Sequence, residues 1–209
     1  MKKAYHIIFE ENFVDNQDFA QRNSTHPTWN LKPLTNFKFK FGGKLKNGLN
    51  RLISFDEFFG GEIGVNNETF GINFEDFFNA QINQKNLFYQ HLDNNVIKPL
   101  TKINIENTYS NYPLKETTIK LALTPNKFLN QEWEGNSNKI GGNPIWVQEK
   151  ENLYCPKCKN KMDFIFHLDS GLPDLNPKNN YEIMFGNDGM LYAFWCKKDK
   201  ISGYLWQCT

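Results

Sequence analysis

Four cysteines, Cys155, Cys158, Cys196 and Cys208, are the residues of this 209-residue chain whose type and spacing point most directly to chemistry. Cys155-Pro156-Lys157-Cys158 has the spacing of a zinc knuckle, in which two thiolates on a tight turn approach one ion while backbone amides steady the sulfurs. Cys196 and Cys208 flank the segment from Lys197 to Gln207, which reads as two aromatic-rich strands turning at Ser202-Gly203. A hairpin with that midpoint sets the two thiols side by side, about 4.5–5.5 Å apart between Cβ atoms. The expectation is one closed tetrahedral site of four sulfurs holding a structural Zn2+, whose binding energy appears as folding energy.

Two other readings of the cysteines stay open. A redox pair requires a thioredoxin-like helix starting at the motif to lower a thiolate pKa. The residues that follow alternate instead, Met162, Phe164, Phe166 and Leu168 against Asp163, Ile165, His167 and Asp169, as in a strand. The remaining possibility is four unliganded cysteines, two of them packed as small hydrophobes. No catalytic residues are assigned. The chain lacks the His-x-Glu segment of the nucleobase deaminases, the Gly-x-Ser-x-Gly elbow and the zincin His-Glu motif. A rival to a binding role is a hydrolase or transferase using His167, Asp169 or Asp188 near the Pro- and Asn-rich stretch Ser170 to Asn180.

Composition narrows the partners. The 24 basic and 23 acidic residues give a formal charge of +1, which argues against a general affinity for nucleic acid. The run Tyr5 to Phe9 is too short for a signal-peptide core, and no stretch reaches membrane-spanning length. A cytoplasmic protein with reduced thiols is expected, its partner being another protein, not nucleic acid or membrane. With Phe 19, Tyr 8 and Trp 5 and a hydrophobic fraction of only 39%, the core must be largely aromatic.

The elements that must position the cysteines follow from periodicity. Phe37, Phe39 and Phe41 alternate with Lys38 and Lys40, a half-buried strand ended by Gly42-Gly43. Gly60, Gly61 and Gly64 lack the spacing of a phosphate loop and read as turns. From Asn73 to Pro99, Phe74, Phe77, Phe78 and Ile82, then Leu87, Phe88, His91 and Leu92, recur at helical spacing, predicting one or two helices with Asn73 as cap and His91 as a core histidine. Thr117 to Thr124 reads as a strand. The polar run Glu134 to Lys139 marks a boundary between an α+β lobe, 1–135, and a β lobe, 136–209, packed as one unit. Within the second lobe, strands are expected at Pro144 to Val147, Met162 to Leu168, Tyr181 to Phe185, Met190 to Cys196 and Tyr204 to Cys208. The fold class is α+β, mostly antiparallel sheet, with a cysteine-stapled C-terminal unit.

Ile140-Gly141-Gly142-Asn143-Pro144-Ile145-Trp146-Val147-Gln148, Cys155-Pro156-Lys157-Cys158, Met162 to Asp169, Phe185-Gly186-Asn187-Asp188-Gly189 and Trp206-Gln207-Cys208 follow one another in an order that resembles the YwqG-like family of bacterial proteins. The same order is similar to the C-terminal domain of eukaryotic programmed cell death protein 2. Two departures stand out: family members often carry Gln at the position of His167, and many have a second Cys-x-x-Cys where this chain has Cys196 followed by two lysines. The resemblance brings little function with it beyond the immunity or chaperone-like role that the eukaryotic relatives imply; the closed metal site, near-neutral charge and missing catalytic set point to a non-enzymatic protein-binding module. Trp146, Trp195 and Trp206 are expected to pack around the knuckle.

Overall fold

The computed structural model describes residues 3–9, 39–93, 96–109, 111–124, 138–173, 182–186 and 188–208. Along the chain these form β1 (Ala4–Phe9), β2 (Phe39–Phe41), β3 (Asn50–Ser54), α1 (Glu57–Ile63), β4 (Thr69–Ile72), α2 (Phe74–Ile82), β5 (Leu87–Leu92), β6 (Val96–Pro99), β7 (Thr117–Leu123), β8 (Lys139–Gly141) and β9 (Asp163–Asp169), then β10 (Leu172–Pro173), β11 (Glu182–Ile183), β12 (Met190–Cys196) and β13 (Ile201–Gln207). The fold is α+β and dominated by one antiparallel sheet of eleven strands in the order β4-β3-β2-β7-β1-β8-β9-β12-β13-β5-β6. β1 pairs with β8, and β13 with β5, so the sheet runs without a break between segments on either side of residue 135. Residues 125–137, which include most of the expected boundary, lie outside the described residues, as do Phe37, Tyr181 and Asn187.

The sheet curls until its two ends meet. Tyr204 on β13 donates its hydroxyl to the Gly71 carbonyl of β4 at 3.3 Å, and Asn47 donates to the Ile97 carbonyl of β6 at 2.9 Å. Gly71 permits this closeness: a Cβ there would stand 2.7 Å from Leu45 Cδ1. Inside the curl Phe70 meets Phe166, Trp195 and Tyr204 at ring separations of 5.4, 5.7 and 6.5 Å, tilted or edge-on. Such geometry places positive ring edges against negative faces, and the aromatic core expected from composition is realised there.

α2 begins where Asn73 accepts a hydrogen bond from the Asp76 amide at 3.1 Å, as its sequence position predicts. Two other expectations fail nearby. Residues 87–92 form a strand, not a helix, with Leu87, Tyr89 and His91 buried and the residues between them less so. The run is six residues long, and a short apolar run satisfies period two and period 3.6 almost equally. The glycine cluster at 60–64 is not a set of turns: Gly60 and Gly61 lie within α1, and Gly64, with φ of 85°, ends it. Gly60 sits where a Cβ would be 2.6 Å from the Val65 carbonyl oxygen, so close chain return explains a residue that helix propensity disfavours.

The C-terminal strands are close to expectation, except that 144–147 is irregular. On the outer face of β9, β12 and β13, Met190, Tyr192, Phe194 and Leu205 are covered by the segment carrying Trp146, Leu153, Cys155 and Met162. Tyr192 fixes that cover by donating to the Ile145 carbonyl at 2.8 Å and accepting from the Val147 amide at 3.0 Å.

Candidate metal centre

The Cys155 turn is held by its own backbone. The Cys155 amide donates to the Asn160 carbonyl at 2.9 Å, the Lys159 amide to the Cys155 carbonyl at 3.0 Å, and the Met162 amide to the Leu153 carbonyl at 2.8 Å. The amides of Lys157 and Cys158 point at the Cys155 sulfur, and Lys159 takes φ of 61° to return the chain. A second turn of the same kind follows β12. Cys196 pairs with Ile201, so the hairpin turns at 197–200; the Asp199 amide points at the Cys196 sulfur, and Lys200 takes φ of 50°. In both turns the fourth residue after the first cysteine is a left-handed lysine, a conformation that costs about 1–2 kcal/mol for a residue with a side chain. Cys196-Lys197-Lys198-Asp199 is therefore a knuckle with aspartate in the place of its second cysteine.

The two turns converge. The ligand atoms of Cys155, Cys158, Cys196 and Asp199 all lie within 4.8 Å of one another. Cys155 Sγ is 3.2 Å and Cys196 Sγ 3.5 Å from Asp199 Oδ2, while Cys158 and Cys196 place their sulfurs 3.6 Å apart. A tetrahedral ion with ordinary zinc bond lengths requires about 3.8 Å between two sulfurs and about 3.6 Å between sulfur and oxygen. The donors already stand near those separations, and all four cysteines are unbridged. Electrostatics agree: burial pushes the Cys155 thiol up and the Cys196 thiol to about 12, because a thiolate there lacks a compensating charge. Hydrogen bonds from the Cys158 and Cys155 thiols hold the Asp199 carboxyl below its usual range. A cation at the centre supplies the missing charge. The site can hold a metal.

Cys208 is not part of this group. The Ser202-Gly203 turn expected from the sequence is strand, and the true turn begins directly after Cys196, so Cys196 and Cys208 stand at opposite ends of β13, roughly 20 Å apart at the rise of a strand. Gly203 is needed for close approach and not for turning: a Cβ there would be 2.5 Å from Leu153 Cδ2 and 2.9 Å from Phe88 Cε1. Cys208 packs on the turn at Gly186, where an added Cβ would meet its own Cβ at 2.4 Å. Asp199, absent from the sequence expectation, was visible as the third residue after Cys196, but a search for sulfur passes over it. Of the three tryptophans, Trp146 covers the knuckle side, stacked on Tyr192 at 4.7 Å, whereas Trp195 and Trp206 belong to the main core on the other face.

The residues of the rival enzymatic reading lie around Met190, which pairs with Asp169, but two of the three are buried. His167 is fully buried and stacked on Tyr192, with Nδ1 3.2 Å from Met190 Sδ, and burial holds its pKa well below the histidine range. Asp169 is buried two residues along the strand, and Asp188 is exposed in the turn between β11 and β12. A different triad-like row emerges elsewhere: His91 Nδ1 lies 2.9 Å from Glu68 Oε2, and its Nε2 lies 2.9 Å from Ser202 Oγ. The geometry matches an acyl-transfer relay, yet Ser202 has no exposed surface, and Tyr204, two residues on, reaches Gly71. The row joins the chain at the start of β4 to β5 and β13, and thereby closes the sheet. Against protein-family models, curated proteins and solved structures, no match to this chain is found.

Proposed function

We propose that the chain is a non-enzymatic protein-binding module of the YwqG-like kind, an immunity or chaperone-like factor in which a structural zinc ion ties the Cys155 knuckle to the turn of the β12–β13 hairpin. The supporting observation is the set of four donors within 4.8 Å of one another, three sulfurs and one carboxylate oxygen, contributed by two turns 41 positions apart between Cys155 and Cys196. A sulfur-rich tetrahedral set suits zinc and not the oxygen-seeking magnesium or calcium. Four protein donors leave no coordination position for a substrate, which favours a staple over a reaction centre. Zinc supplies charge neutralisation for buried thiolates; the protein supplies turns that aim them.

Metal analysis of the purified full chain, combined with a fluorophosphonate probe and a panel of hydrolase substrates, tests this reading. One zinc per chain and no turnover are expected. Turnover or labelling abolished by Ser202→Ala or His91→Ala, with the fold retained, overturns it, as does a chain that takes up no zinc.

A further inference from the structure

The surface around the centre is chemically unlike the rest of the molecule. Lys157, Lys159 and Lys161 on the first knuckle and Lys197, Lys198 and Lys200 on the second are all exposed. These six belong to a total of 24 basic residues, and the stretches 155–161 and 196–200 hold one of the 23 acidic ones, Asp199, whose carboxylate lies against the sulfurs. The remainder of the chain is therefore formally negative, and the positive charge is gathered where the convergence of the cysteines brings the two turns together. Among the described residues the one ion pair these lysines make is Lys200 with the exposed Asp93, at 4.0 Å; Lys157 also donates to Gln90.

Backbone conformation adds an independent sign. Lys159 and Lys200 both adopt positive φ, 61° and 50°, where glycine or asparagine is easier, and both are exposed, so core packing does not call for their side chains. On the same knuckle Tyr154, bridged by its backbone to Lys161, is 54% exposed and offers an apolar ring to a partner.

We propose that this lysine cap docks an acidic polypeptide segment of a partner protein, with carboxylates on the knuckle lysines and an apolar side chain on Tyr154. The proposal rests on the binding-module reading above and names the chemistry of its partner. Charge balance favours a short acidic segment over a nucleic acid, because a polyphosphate backbone extending past the cap meets a remainder of the chain with 18 basic and 22 acidic residues.

The test is fluorescence anisotropy of the full zinc-loaded chain with a labelled glutamate-rich peptide bearing one leucine, beside an oligothymidylate of equal charge. The peptide is expected to bind more tightly than the oligonucleotide, with affinity falling as salt rises. The pair Lys159→Gly and Lys200→Gly relieves the two left-handed positions, so melting temperature and zinc content are expected to hold while peptide affinity drops about three- to tenfold. Tyr154→Ser weakens the peptide and spares the zinc. Equal peptide binding by the glycine variant, no peptide binding, or tighter oligothymidylate binding overturns the proposal. So does zinc loss in the glycine variant, since the lysines then serve the metal. Peptide binding by a chain that carries no zinc removes the metal reading and leaves the cap, whereas zinc without peptide binding does the reverse.

Discussion

Asp199 decides what the cysteine cluster is. Three thiols alone leave a divalent ion one donor short of a closed tetrahedron, and the Asp199 carboxylate stands where it would complete the set. Asp199→Ala is expected to weaken zinc binding by more than the about 10–100-fold typical of changes outside the direct ligands, and Cys208→Ser to leave it unchanged, as read by competition with a chromophoric chelator. His167 carries a separate expectation. Its folded pKa lies well below its ordinary 6.5, so the unfolded chain takes up a proton that the folded chain refuses. The stability this burial contributes is complete above about 6.5 and is lost as pH falls from there toward the folded value. Denaturant unfolding of His167→Gln is expected to show a smaller decline between neutral and mildly acidic pH than the parent chain. An equal decline contradicts the assignment. Cys155 and Cys158 were legible in the sequence because Cys-x-x-Cys is a local geometry, whereas Cys196 was reached through a hairpin midpoint that the structure places elsewhere; Asp199 was not legible, because an oxygen donor has no sequence signature apart from its spacing.

At the scale of elements, the two knuckles are the same device built from different sequences. Each directs backbone amides at its first sulfur and reverses through a left-handed lysine, so the turn, not the side-chain type, sets the position of the second ligand. The turn after Cys196 also fixes the register of β13, which brings Gly203 under Leu153 and Phe88. Gly203→Ala is therefore expected to destabilise the fold by about 1–3 kcal/mol in equilibrium unfolding, through overpacking rather than backbone strain. A neutral result contradicts the close packing. β9, β12 and the Asn73-capped α2 were readable because a seven-residue apolar or alternating run marks a strand and a cap is local, although both faces of β12 and of most of β9 turn out to be buried. β5 and α1 were not, since tertiary pairing with β13 and the Gly60 approach to Val65 decide them, and neither is visible locally.

Among the described residues the architecture is dominated by one eleven-stranded antiparallel sheet whose ends are drawn together, and the candidate metal centre sits at one end of its β12–β13 hairpin. The Glu68–His91–Ser202 row and the Tyr204–Gly71 bond join the edges by buried polar contacts, and the segment 142–162 covers the outer face, where an ion held by the cysteine–aspartate cluster would tie it down. Chelation is thus expected to lower the melting temperature while much of the strand signal in circular dichroism persists below it, because the main aromatic core lies on the other face. Complete loss of that signal on chelation at low temperature contradicts this division. Zinc-edge X-ray absorption of the loaded chain tests the central claim most directly. Three sulfurs at about 2.3 Å and one oxygen at about 2.0–2.2 Å are expected, unchanged by Cys208→Ser; a four-sulfur shell that loses a sulfur in that variant contradicts the account.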